Sequence, residues 1–168
     1  MSARDGEGEL GEVHQIVSAI DYPMYIVTVA AQGRRAGCLV GFTTQCSIHP
    51  PRFLVCISVR NHTFRVAQEA DVMVVHLVPA DAGDLAELFG SETGDEIDKF
   101  ARCEWSPGPG GAPVLAACPN WFAGRVLDRV PAGDHHAVLI EPFRAESAPD
   151  PGTFTFHRAR RITPGHEA

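Results

Sequence analysis

The chain has 168 residues and a mass of 18.1 kDa, which suits a single domain over residues 1–168, because two domains would each have a marginal hydrophobic core. Its composition is 45% hydrophobic and 21% charged, which excludes a disordered or collagen-like chain. No apolar run is long enough for a membrane helix, and the start lacks the order of a signal peptide. We therefore expect a cytoplasmic protein that does not enter membranes.

The formal net charge is −7, and the acidic residues concentrate in residues 1–12 and 81–98. An acidic chain without a basic stripe excludes nucleic acid as a general partner, whereas a small anionic ligand stays open. The five cysteines form no CxxC pair and the eight histidines are scattered along the chain. We therefore expect free thiols in a reducing compartment and no metal site.

The first half of the chain predicts a lead-in helix followed by strands. Within residues 1–20, the apolar residues from Leu10 to Ile20 recur at helical spacing. Asn61 or Thr63 is placed to cap a short helix before the fourth strand. The predicted strands of this half are rich in branched and aromatic residues and cover 22–31, 37–48, 52–59 and 72–78, of which the first two form a hairpin.

The second half mixes an acid-rich segment with further strands. Residues 81–100 have helical spacing and predict an exposed helical insert, and the Pro- and Gly-rich residues 106–113 predict a loop. Two long strands at 114–130 and 135–147 and a last strand at 154–160 follow. Because turns rather than helices join most successive strands, we predict a mainly β fold, an antiparallel barrel with peripheral helices.

Residues 37–63 are the stretch whose chemistry points to a ligand. The chain contains no GxSxG, HExxH, Walker or GxGxxG motif, so the most recognisable enzyme signatures are missing. Gly37 and Gly41 interrupt an otherwise bulky strand, as glycine does at a bulge or where a flat ligand approaches the backbone. The polar residues at 43–47 and 60–63 suit a phosphate group, or equally a polar strand edge and a helix cap.

Four short motifs follow one another between about Tyr22 and Arg161. They are SIHPP at 47–51, ISVRNHT at 57–63, DKF at 98–100 and GDHH at 133–136. In this order they resemble the flavin reductase-like family of FMN-binding split β-barrels. The resemblance implies a mainly β, antiparallel split barrel that forms a homodimer, with FMN or FAD bound near the subunit seam.

The resemblance also implies roles for particular residues. His135 would lie near the nicotinamide or the exposed flavin face as the catalytic residue, or else be a turn residue hydrogen-bonded to Asp134 or to the backbone. The strand backbone that would contact the flavin ring belongs to Cys38, Leu39, Val40 and Gly41. The residues implied on the phosphate side of the flavin are Gln45, Cys46, Ser47, Arg60, Asn61 and Thr63.

The implied function is reduction of FMN or FAD by NADH or NADPH, with the reduced flavin passed to a partner monooxygenase. Such a reaction needs positioning and electrostatics rather than a nucleophile, in agreement with the missing triad. A second hypothesis is a non-catalytic FMN-binding electron carrier. It is motivated by Leu39 and Gly41, which replace hydroxyl residues common in the family, and by Pro142, which interrupts strand pairing. A third is a binding module for an unrelated ligand in the barrel seam.

Overall fold

The computed structural model describes residues 3–149 and 152–165. Its strands are β1 Tyr25–Ala31, β2 Arg34–Val40, β3 Thr43–Ser47, β4 Arg52–Ser58, β5 Val72–Leu77, β6 Trp105–Pro107, β7 Pro113–Leu115, β8 Trp121–Ala132 and β9 His135–Glu146. Its α-helices are α1 Ala3–Ala19, α2 His62–Ala67, α3 Gly83–Ser91 and α4 Phe156–Ala159, with short 3-10 turns at Lys99–Arg102 and Pro109–Gly111. The structure confirms the mainly β prediction with peripheral helices.

Seven strands form one antiparallel sheet in the order β2-β1-β5-β8-β9-β4-β3, so that β2 and β3 are its two edges. Only Gly41 and Phe42 separate these edge strands along the chain. Here the Thr43 N–H donates to the Gly41 carbonyl at 3.0 Å, and the Cys56 N–H donates to the Phe42 carbonyl at 2.9 Å. The predicted strand 37–48 is therefore wrong as one strand, because this bend carries the chain from one edge of an open barrel to the other.

Of the three buried apolar clusters among the described residues, the two larger hold the barrel and its surroundings together. The barrel interior is filled by branched side chains such as Val27, Val55 and Ile57. The second cluster lies outside the barrel and includes Phe89 and Phe100, whose rings meet edge to face at 5.6 Å. The core therefore has two layers, one inside the sheet and one between the sheet and the peripheral helices.

The predicted exposed insert at 81–100 is helical but not simply exposed. Helix α3 buries Ala86 and Phe89 in the second cluster, while Asp84 and Glu87 face solvent. The spacing of three between the two buried residues places both on one helix face. The prediction of exposure is wrong for this face of α3. It was made because the segment is rich in acidic residues, whereas the buried face is apolar.

Two further predictions fail where distant contacts decide the backbone. The predicted loop 106–113 contains part of a β6–β7 hairpin, which the buried Thr28 anchors by donating its hydroxyl to the Pro113 carbonyl at 2.5 Å. The predicted last strand 154–160 is replaced by isolated bridges at Thr153 and Thr155 followed by α4. Pro142 lies within β9, where a register shift opposite Ala123–Gly124 accommodates it.

Helix α1 confirms the predicted lead-in helix and exposes its apolar side. The exposed apolar residues are Leu10, Val13, Ile16, Val17 and Ile20, each between 46% and 67% exposed. The first four lie within one half of the circumference of α1, because their spacing follows the helical period, and Ile20 follows directly after the helix. Among the described helices, none combines the length and the hydrophobicity that crossing a membrane requires.

His76 is a buried histidine that links three strands. Its Nδ1 donates to the Ile26 carbonyl of β1 at 2.9 Å, and its Nε2 accepts from the Leu115 N–H of β7 at 3.1 Å. This arrangement satisfies a neutral imidazole completely. Burial lowers the pKa of His76 to about 4, so the ring is neutral at physiological pH.

We predict that His76→Gln weakens the dependence of stability on pH. In the wild-type protein the unfolded state binds more protons at His76 than the folded state does between the ordinary pKa of 6.5 and the folded pKa of about 4. The free energy of unfolding therefore falls by about 3 kcal/mol as the pH falls through this window. Glutamine preserves a donor and an acceptor without titrating. Urea unfolding of both proteins at several pH values measures the difference, and equal pH slopes would contradict the assignment.

Candidate functional site

A groove of about 380 Å³ lies where the barrel is open. One wall is the end of β2 from Cys38 to Val40 with the following Gly41, and the opposite wall is β4 from Cys56 to Ser58 together with Asn61 and His135. A third, apolar wall comes from Tyr22, Met24 and Phe156, which the chain brings from both ends of the domain. The groove therefore has a strand edge on one side, a polar end and an apolar cover.

The edge of β2 offers unpaired backbone groups to this groove. The hairpin turn at Gln32 and Gly33 has positive φ values of 50° and 74°, and the pairing of β1 with β2 starts at Ala31 and Arg34. Alternate residues of an edge strand direct both backbone groups outward. Gly37 is such a residue, because its carbonyl accepts from Lys99 Nζ at 3.2 Å. Leu39 is two residues further along β2, so its N–H and carbonyl also face the open edge.

The side chains of Cys38 and Val40, on either side of Leu39, point into the barrel. They are 2% and 7% exposed and belong to the cluster inside the barrel. Burial raises the pKa of the Cys38 thiol, with smaller opposing effects from Lys99 and Thr63. These two residues therefore fix the strand, and the backbone of Leu39 between them is what a ligand can reach.

Gly41 is required by a close approach rather than by its backbone angles. A Cβ atom at this position would lie 2.7 Å from Tyr22 Cε2 and 3.2 Å from Met24 Sδ. The Tyr22 ring is itself held by Phe156, with the ring centroids 4.6 Å apart and the planes 11° from parallel. This stack is a flat apolar surface against which an aromatic ligand can pack.

The polar end of the groove is built around His135. Its partner in the pairing of β9 with β4 is Ser58, and its ring lies 5.2 Å from that of the exposed Phe42. Its Nδ1 lies 2.6 Å from a carboxylate oxygen of Asp134, and this hydrogen bond lowers the pKa of Asp134 below its usual value. His135 therefore both contacts Asp134 and lines the groove, so the two alternatives predicted for it are not exclusive. Asp134 contacts Nδ1, and Nε2 is the other ring nitrogen.

The structure brings only some of the predicted site residues into the groove. Those that line it are Cys38, Leu39, Val40, Gly41, Asn61 and His135. Asn61 also caps α2, because its side-chain oxygen accepts from the Thr63 N–H at 2.9 Å, and this confirms the predicted cap. Thr63 is 1% exposed, and Arg60 is exposed outside the lining.

Gln45, Cys46 and Ser47 lie on the part of β3 that leads away from the groove. Gln45 pairs with Phe53 near the far end of β4, and its side-chain amide donates to the Ser47 carbonyl at 3.2 Å. None of the three lines the groove. Tyr22 and Phe156, which do line it, were missed because no local signal joins residues from the two ends of the chain.

The arrangement suits a flat heteroaromatic molecule with a polar edge. The backbone of Leu39 supplies one donor and one acceptor, and the stacked rings supply an apolar face. The absence of a side chain at Gly41 lets the Tyr22 ring pack directly against the backbone there. These features bind and position a ligand, and burial raises the pKa of the Cys56 thiol, which disfavours the thiolate in the groove.

Comparison with known families agrees with this geometry. The family model described as "Flavin reductase like domain" matches residues 17–163. The FMN reductase (NADH) RutF of Bradyrhizobium diazoefficiens is 33% identical over 114 residues, which are 68% of this chain and 63% of that protein. The stachydrine N-demethylase reductase subunit Stc3 of Rhizobium meliloti is 30% identical over 113 residues, which are 65% of this chain and 48% of that protein. The chain thus spans about half to two thirds of the length of these relatives.

Solved structures share the fold at low sequence identity. The NADH:FAD oxidoreductase SgcE6 of Streptomyces globisporus, in complex with NAD and FAD fragments, superposes with a TM-score of 0.79 at 20% identity and covers 91% of both chains. The nitrilotriacetate monooxygenase component B homologue of Mycobacterium thermoresistibile gives a TM-score of 0.79 at 19% identity, over 97% of this chain and 94% of that one. These likenesses establish the split-barrel architecture.

Proposed function

Because the chain belongs to the flavin reductase-like family, we propose that it is an NADH:flavin oxidoreductase that reduces FMN or FAD. The observation that carries this proposal is the groove at the open edge of β2, which is lined by Leu39 and by the stacked rings of Tyr22 and Phe156. An isoalloxazine ring has a hydrogen-bonding edge and two flat faces, which these features complement. The relatives named as NADH-dependent FMN reductases support the same reaction.

The protein contributes binding and position. A bound flavin supplies the electron-accepting chemistry, so the chain needs no nucleophile of its own. The backbone of Leu39 orients the ring edge, and the stack of Tyr22 on Phe156 excludes water from one side. His135 would meet the nicotinamide at the polar end, with Asp134 fixing the orientation of its ring.

We further propose that the flavin phosphate lies at the Asn61 end of the groove. Arg60 is exposed next to Asn61 and supplies a cation for it. The buried Thr63 acts behind Asn61, because its N–H holds the Asn61 side chain. Gln45, Cys46 and Ser47 do not line this groove, so they reach a phosphate only where a second subunit places its groove against β3.

Such a second subunit is supported by the apolar face of α1. Its residues from Leu10 to Ile20 have no apolar cover within the described chain, and an uncovered stripe of this kind marks an interface. Leu127 and Val130 on the long strand β8 are further exposed apolar residues. We therefore propose a homodimer in which α1 packs on the partner subunit.

The oligomeric state tests this proposal directly. We expect Ile16→Glu to shift the protein from dimer to monomer in sedimentation velocity, because the substitution buries a charge in the apolar face. Gln15→Glu adds the same charge on the opposite side of α1 and should leave the dimer intact. Equal sedimentation of wild type and Ile16→Glu as monomers would refute the interface.

We also propose that the reduced flavin serves a partner monooxygenase in the cytoplasm. The solved neighbour named as a monooxygenase component supports the first part. The cytoplasmic location is supported by the five cysteines, which are all free, as cysteines are in a reducing compartment.

The proposed activity is tested by following NADH absorbance with added FMN or FAD. We expect wild-type protein to oxidise NADH only when a flavin is present. Gly41→Ala should raise the dissociation constant for flavin about tenfold or more, because the new Cβ displaces the Tyr22 ring. Gly11→Ala, whose Cβ meets nothing within 4 Å, is the matched control. No NADH or NADPH oxidation with either flavin would end the proposal, and flavin binding without turnover would favour an electron carrier.

For His135, we expect His135→Ala to raise the apparent KM for NADH more than that for flavin, because the ring lies at the polar end rather than along β2. Steady-state kinetics with each substrate varied in turn provides the measurement. His136→Ala is the control, since its ring packs on Phe64 at 4.8 Å and does not line the groove. A larger effect on the flavin KM would count against this role.

A further inference from the structure

A second lobe of about 470 Å³ lies next to the groove, and Phe156 lines both. The two lobes share Met24, Leu39, Phe156 and Pro164, so they adjoin along these residues, and we call the two together the cleft. Gly90 belongs to the floor of the second lobe, where a Cβ would lie 3.1 Å from Leu39 Cδ2 and 3.4 Å from Ile162 Cγ2. This floor is closely packed and apolar.

Arg160 is the only charged residue that lines the second lobe among the described residues. Its guanidinium lies over the Phe156 ring, 5.7 Å from the centroid. No ion pair joins it to a carboxylate in the part of the chain that the structure describes. A cation at the side of an apolar cleft, without an acidic partner there, favours an anionic group on the bound molecule.

The neighbouring arginines differ from Arg160 in this respect. Arg158 donates to the Ala80 carbonyl at 2.5 Å and covers the Phe154 ring at 4.5 Å, so its guanidinium is engaged in the fold. Arg161 is exposed and lines neither lobe. Of the three arginines in this segment, Arg160 alone faces the cleft.

The two ends of the cleft are distinct. Asn61 lines only the first lobe and Arg160 only the second, with Leu39 common to both. A flavin bound along Leu39 with its phosphate toward Asn61 leaves the Arg160 end free. The reaction requires a second substrate beside the ring, and the nicotinamide dinucleotides carry phosphate groups.

We propose that the second lobe binds the phosphate groups of the reducing dinucleotide and that Arg160 is the residue that recognises them. This inference rests on the proposed function and deepens it, because it assigns the phosphate groups of the reductant to a defined part of the cleft, while the nicotinamide meets His135 in the first lobe. Arg160 binds the substrate and takes no part in the electron transfer.

The test compares Arg160→Gln with wild type using two reductants. NADH carries phosphates, whereas N-benzyl dihydronicotinamide donates the same electrons without them. We expect Arg160→Gln to raise the KM for NADH about tenfold to a hundredfold with little change in kcat, because a charge-assisted contact made in both ground and transition states is lost. The kinetics with N-benzyl dihydronicotinamide should not change. Arg161→Gln is the matched control and should behave as wild type.

Three results would overturn the inference. An unchanged KM for NADH would show that Arg160 does not contact the reductant. An equal loss with both reductants would show a structural role. Weaker binding of FMN but not of riboflavin would place Arg160 on the flavin phosphate instead. If wild-type protein oxidises no NADH with any flavin, the proposed function itself fails, and that outcome is separate from the other three.

Discussion

The unpaired outer edge of β2 is the constraint on which the site depends. The chain leaves β2 at Gly41 and enters β3 on the other edge of the sheet, so the two edges never pair. An exposed strand edge invites unwanted pairing unless something covers it. Lys99 Nζ donates to the Gly37 carbonyl on this edge at 3.2 Å, and the Thr43 N–H donates to the Gly41 carbonyl just after β2. Leu39 lies between these two contacts, and its backbone groups are the ones left for a ligand.

The residues that hold this edge also connect the two layers of the fold. Lys99 is 5% exposed, and its ammonium binds the carbonyls of Gly37 and Phe89, which ties α3 to β2. Burial lowers the pKa of Lys99, so the two carbonyls must offset the cost of burying its charge. His76 makes a comparable link between β1 and β7 without any charge. The groove is thus bordered by elements whose positions are fixed by buried polar contacts.

The sequence predicted the strands well where their residues alternate or form long apolar runs, as in β1, β4 and β5. It also predicted the family, because the motifs SIHPP, ISVRNHT, DKF and GDHH occur in order, and the family match over residues 17–163 confirms this. It failed where tertiary contacts override local pattern. The bend at Gly41 depends on Phe42 pairing with Cys56, and the bridge at Thr155 depends on Pro23.

The site was predicted in part for the same reason. Leu39, Gly41 and His135 follow from strand order and motif, and the groove contains them. Tyr22 and Phe156 are far apart in the chain and carry no motif, so only the fold reveals that they stack. Arg160 lay in a predicted strand, whereas the structure places it at the end of α4 beside the cleft.

Alkylation of Cys56 in the presence of FMN tests the central claim most directly. Cys56 lines the groove, and Cys103 lies outside it; both are half-buried, and burial raises the pKa of both thiols. If the flavin occupies the open edge of β2, FMN slows the reaction of Cys56 with iodoacetamide and leaves that of Cys103 unchanged, as peptide mass spectrometry would record. Equal rates at Cys56 with and without saturating FMN would contradict the account.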